Sequence, residues 1–109
     1  MNIISQEAFF QNLLELTKQI KKNPEMYIGE KSLTKLDHFL GGLAIAYGYL
    51  DAEKKYFGVY PGFQEWIQKK YRIESTQSWC HILLFYSVSE SSAFDLFFKR
   101  LEEFYNTTF

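Results

Sequence analysis

The side chains able to do nucleophilic or metal chemistry are few in this sequence, and their spacing works against them. Cys80 is the only cysteine and His38 and His81 are the only histidines. A zinc site needs about four converging ligands. Cys80 and His81 are adjacent, and neighbouring residues on a helix point about 100° apart, so the two cannot converge on one ion. Cys80 paired with either histidine is formally a nucleophile and base. No cysteine-hydrolase signature surrounds it, however, and a cysteine inside an apolar run acts as a small hydrophobe. The acids offer no better pair. Glu102 with Glu103 and Asp51 with Glu53 lie in polar settings that suit solvated helix ends. Asp37 and Asp95 adjoin apolar faces, but helical spacing turns both outward. No catalytic residue, metal ligand or cofactor is assigned, and the chain is expected not to be an enzyme.

The aromatic side chains remain. Tyr47, Tyr49, Tyr56, Phe57, Tyr60 and Phe63 crowd around the turn "DAEKKYFGVYPG", more rings than a small bundle easily buries. Rigid aromatic rings beside acids are typical of protein recognition surfaces. The expected partner-binding surface is therefore Tyr49, Tyr56 and Tyr60 with Asp37, Asp51, Glu53 and Glu65.

The chain that must position these residues has 109 of them, enough for one compact core and no second domain. Hydrophobic residues make up 47% and aromatic residues 19%, which excludes a disordered chain. The net charge of -1 comes from 12 basic and 13 acidic residues that are interspersed along the sequence, leaving no basic footprint for nucleic acid. A single cysteine cannot form an internal disulfide, which fits a reducing cytosol. The start, "MNIISQEAFFQNLLELTKQIKK", lacks the pattern of a signal peptide, and no segment reaches the ~20 apolar residues of a membrane span. The expectation is a soluble cytoplasmic protein.

Periodicity supplies the elements. Glu7 to Lys22 carries Phe9, Leu13, Leu16 and Ile20 at helical steps, with Ser5 as N-cap. From Ser32, Leu33, Leu36, Leu40, Leu43, Tyr47 and Leu50 form a second stripe. Gly41, Gly42 and Gly48 each weaken such a helix by about 0.8 to 1 kcal/mol. A long helix here must be held by packing, as the central element, with its small residues admitting a close neighbour. Phe63, Trp66, Ile67 and Tyr71 predict a short third helix, with Pro61 near its first turn. "SWCHILLFYSV" is apolar all round, so its period does not separate helix from strand. A lone strand would leave its backbone groups unpaired, which favours a buried helix over about Ser78 to Ser87, capped by Ser78 or Thr76. Ser89 caps the last helix, striped by Phe94, Phe97, Leu101 and Phe104. The predicted fold is all-α, a single bundle of about five helices over residues 1–109.

Between the first two helices lies "NPEMYIG", Asn23 to Gly29. It resembles the "RPGMYIG" that opens the ATP-binding domain of type II DNA topoisomerases. That resemblance would require a following helix with E-x-x-x-N and a later D-x-G-x-G. Neither occurs, so neither the oxygen ligands for magnesium nor a phosphate cradle is supplied. The stretch is then a connector: Pro24 ends the first helix, Gly29 turns the chain, and Met26, Tyr27 and Ile28 plug the bundle.

A wider pattern runs through Asn23 to Gly29, Ser32 to Gly41, Phe63 to Ile67, Ser78 to Leu83 and Ala93 to Phe104. It resembles small bacterial immunity proteins of polymorphic toxin and contact-dependent growth inhibition systems. The resemblance implies a binding protein that holds a cognate toxin C-terminal domain in the cytosol and blocks its active site or substrate groove. It implies no catalytic residues at these positions. If the toxin is a nuclease, its basic groove calls for an acidic immunity surface. The nearly balanced charge confines any such surface to local clusters, Asp37 with Asp51 and Glu53, or Glu65 with Glu74. The alternative is a small non-enzymatic adaptor or regulatory domain using the same surface, which gene neighbourhood would distinguish.

Overall fold

The computed structural model describes residues 6–50, 60 and 62–108. Among these, six helices run in chain order: α1 (Gln6–Lys22), α2 (Pro24–Ile28), α3 (Leu33–Leu50), α4 (Phe63–Tyr71), α5 (Trp79–Phe85) and α6 (Glu90–Thr108). The fold is all-α, as expected. The additional helix is α2, formed by the stretch read as a connector. Pro24 occupies the first helical positions, where its fixed φ suits the turn and its missing N–H costs nothing. Gly29, at φ 88°, ends α2 in the left-handed region and returns its N–H to the Glu25 carbonyl at 3.2 Å. Only part of α2 plugs the bundle. Tyr27 and Ile28 pack against the core, whereas Met26 is 76% exposed.

Local capping fixes three helix starts. Ser32 Oγ accepts from the Lys35 N–H at 3.2 Å, and Ser78 Oγ accepts from the His81 N–H at 3.2 Å. At α6 the serines reciprocate: Ser92 N–H donates to Ser89 Oγ, and Ser89 N–H donates to Ser92 Oγ, both at 3.0 Å. Each bond satisfies a backbone donor that the first turn leaves without an intrahelical partner. The ambiguous apolar run is thus a helix, begun by Ser78. The proposed Ser5 cap, and Pro61 at the start of α4, lie outside the described residues. Gly62 instead stands at the N-cap of α4 with φ 87°, where a β-carbon would be strained.

The core is built on α6, which packs against α3, α4 and α5, and on α3, which packs against α2, α5 and α6. Ala93, Phe94, Phe97, Phe98, Leu101 and Phe104 are all buried. The ring of Phe63 sits among five others, with centroids 6.0 Å from Tyr60, 6.2 Å from Trp66, 5.6 Å from Trp79, 5.9 Å from Phe97 and 5.5 Å from Phe104. Edge-to-face pairs dominate, the arrangement that the ring quadrupole favours. From α3, Leu33, Leu36, Leu40 and Ala44 enter the core. Among the described residues, Gly41 and Gly42 have no close neighbour: a β-carbon on either would meet nothing within 4 Å. The length of α3 is held by its leucine stripe and by its N-terminus, where a second carboxylate reinforces the cap. Glu90 of α6 accepts from Thr34 N–H at 2.8 Å, Thr34 Oγ1 at 2.6 Å and Ser32 Oγ at 3.1 Å. Lys31 joins Asp95 at 2.9 Å beside it.

Candidate functional site

Of the expected partner-binding residues, the described side chains are those of Asp37, Tyr60 and Glu65. Tyr60 is 4% exposed, a core residue rather than a surface anchor. Thr17 Oγ1 donates to the Leu13 carbonyl at 2.7 Å, which leaves the Tyr60 hydroxyl to donate to Thr17, also at 2.7 Å. With its proton engaged and its ring among Phe63 and Phe97, Tyr60 is withdrawn from any partner. Burial drives its pKa up. Phe63 is likewise fully buried. Asp37 is half-buried on α3, where its carboxylate helps to raise the pKa of the Cys80 thiol. Glu65 is exposed in the first turn of α4, where the helix dipole favours an acid. The side chain of Tyr49, and residues Asp51, Glu53 and Tyr56, lie outside the described residues.

Cys80 and His81 diverge as their adjacency requires, the thiol buried and the imidazole exposed. Burial, with the Asp37 and Glu90 carboxylates adding to it, pushes the Cys80 thiol up to about 12. A thiol so protonated is a packing group and a poor nucleophile at neutral pH. Among the described residues, no three His, Cys, Asp or Glu side chains are placed to share a metal ion, and no helix is long and apolar enough to cross a membrane.

The structure offers another surface, at the end of α5. Phe85 is 79% exposed, Tyr86 50% and Val88 97%. Three consecutive constraints fix this turn. Tyr86 N–H reaches the Ile82 carbonyl at 3.3 Å, Ser87 N–H the Leu84 carbonyl at 3.1 Å, and Ser87 Oγ the Leu83 carbonyl at 2.8 Å. The Ser89–Ser92 cap follows at once. The rings are braced from α4 and α6. Tyr86 stacks on Tyr71 at 4.7 Å, and Phe85 meets Tyr86 edge-on at 5.2 Å. Arg100 Nε donates to the Tyr71 hydroxyl at 2.8 Å while its guanidinium lies 5.6 Å from the Tyr71 ring centre. Its other arm reaches Glu103 at 2.6 Å, which holds that carboxyl below its usual range.

The loop leading into α5 is pinned as well. Gln64 donates to the Gln77 carbonyl at 2.8 Å and accepts from Trp79 N–H at 2.7 Å, and Gln68 donates to the Ser75 carbonyl at 2.7 Å. The result is an apolar ridge in solvent, with the rings of Phe85 and Tyr86 braced and Val88 exposed beside them. Ordering costs on binding are small for rings already fixed in this way. The sequence contained a signal for it. In the apolar run, His81 marks the outward face of the helix, and Phe85 follows it by four residues, on that same face.

Comparison with protein-family models, with curated proteins and with solved structures finds no match to this chain.

Proposed function

We propose that this chain is an immunity protein: a non-enzymatic binding domain that occupies the active site or substrate groove of a cognate toxin C-terminal domain in the cytosol. The observation that carries the reading is the braced ridge of Phe85, Tyr86 and Val88. Tyrosine is enriched among the hot spots of protein interfaces, and rings already held in place make such an anchor with little loss of freedom. The resemblance to immunity proteins supports the same reading at the level of the fold. Its five stretches fall on α2, the first half of α3, α4, α5 and α6, and α6 packs on α3, α4 and α5.

The ridge spans residues 85–88, a stretch without a carboxylate. Its contact with the toxin would be an apolar anchor, with acids such as Glu65 acting at longer range on encounter. The test is co-expression with the toxin domain encoded directly upstream. A stable complex and restored growth are expected; their absence refutes the immunity reading. Phe85→Ala is then expected to weaken the complex by about 2 kcal/mol or more, as for a hot-spot ring, with helical content unchanged. Unchanged affinity would place the contact on another face.

A further inference from the structure

A groove of about 370 Å³ runs between α1 and α6, within the range of roughly 300 to 1,000 Å³ typical of small-molecule sites. We infer that it binds a free single-chain anionic amphiphile, such as a medium-chain carboxylate, with the anionic head at Lys21 and the chain extending towards Tyr105.

The walls are mainly apolar: Leu14 from α1 faces Phe98, Leu101 and Tyr105 from α6, and Asn106 is the polar residue next to Tyr105. Thr17 also lines the groove, but its hydroxyl is already engaged by the Leu13 carbonyl and Tyr60. Thr17 therefore makes no polar demand on an alkyl chain. One end is marked by Lys21, whose Nζ lies 5.9 Å from the Phe98 ring centre. The other α1 residues of the groove precede Lys21 and the other α6 residues follow Phe98, so the two helices run antiparallel away from this end. In that register Lys18 and Glu102 share the middle, and Leu14 and Tyr105 lie at the far end.

The charges are ordered accordingly. Lys18 has Glu15 at 3.6 Å and Glu102 across the groove. Lys21 has no ion-pair partner among the described residues. An uncompensated cation at one end of an apolar trough matches a ligand with one anionic head and one tail. A partner helix would instead present charge along both flanks. From Leu14 to Lys21 the trough measures about 10 Å along α1 at the helical rise of about 1.5 Å per residue, which limits the tail to medium length. This inference is independent of the toxin reading, because its test contains no toxin.

The experiment is isothermal titration of the full chain with decanoate below its micellar concentration. Saturable one-to-one binding is expected, weakening about two- to fourfold for each methylene removed in the series down to hexanoate, since a buried methylene is worth about that factor. Decanol should bind at least tenfold more weakly, and decyltrimethylammonium not at all. Lys21→Gln should weaken decanoate about tenfold and leave decanol unchanged, whereas Lys69→Gln, on an exposed face of α4, should alter neither. Leu14→Trp, which fills the trough, should abolish binding of both ligands with helical content retained. Failure to saturate, equal binding of the cationic analogue, or indifference to Lys21→Gln overturns the assignment. Binding to phosphatidylglycerol vesicles without binding of free decanoate also overturns it, assigning the lysines to a membrane surface.

Discussion

Removing the Glu90 carboxylate tests how far one side chain of α6 governs the start of α3. Glu90 accepts three hydrogen bonds, from Thr34 N–H, Thr34 Oγ1 and Ser32 Oγ. Ser32 Oγ in turn accepts from Lys35 N–H, so α3 has two of its first-turn donors satisfied by one connected pair of side chains. A hydrogen bond to a charged group contributes about 1.5 to 3 kcal/mol when shielded. Glu90 is exposed, and solvent screening brings the whole set down to about 1 to 2 kcal/mol, comparable to the loss of an N-cap.

Glu90→Gln keeps the shape and removes the charge, so it should cost about 1 kcal/mol at pH 7. For a domain of this size that corresponds to about 4 to 8 °C in Tm. The pH dependence follows from the side-chain and backbone bonds of Thr34, chiefly, which hold the Glu90 carboxyl below its usual range. A carboxylate with a depressed folded-state pKa stabilises above its unfolded value of about 4.3 and loses that contribution as pH falls through the folded value. Urea denaturation of both proteins from pH 7 to pH 3 should show a constant gap above about pH 5 that closes on acidification. Taking the difference between the two proteins cancels other carboxylates such as Glu103. Equal stability at pH 7, or a gap that widens in acid, would refute the reasoning.

Three further outcomes are expected. Phe63→Ala should cost about 3 to 5 kcal/mol in chemical denaturation, because it empties the space between five surrounding aromatic side chains; a loss below 1 kcal/mol would mean the cluster is not a single packed unit. Gly42→Ala should raise stability by about 0.5 to 1 kcal/mol, since it lies inside α3 with open space around a β-carbon, and a loss would reveal a neighbour for α3 in solution. Cys80 should resist a thiol-specific disulfide reagent at pH 8 in the native state and react on unfolding, because its thiol is buried and pushed up to about 12; rapid native labelling would contradict its packing on α5.

Much of the architecture was legible along the chain because helix formation is decided locally. The stripes of α1, α3, α4 and α6 recur at helical steps. Ser32, Ser78 and Ser89 cap where they stand because a capping oxygen reaches only the N–H groups two or three residues on. The helical nature of the Trp79–Phe85 run also followed from the need to pair its backbone groups. The helix α2 is less legible: Asn23 at its N-cap makes no side-chain cap bond, and the glycine that ends it, Gly29, marks a turn equally well. Local pattern did not reveal which rings are inside. Tyr60 is drawn into the core by Thr17, 43 positions away, and Phe85 is left out although it ends the most apolar run in the chain. A helix that is apolar on every side can bury only the faces its neighbours cover. For α5 those neighbours are α3, α4 and α6. The sequence by itself determined that the chain is helical and where most helices begin. Tertiary packing decided which aromatic residues became core and which stand in solvent as the ridge, because that choice depends on contacts between segments far apart in the chain.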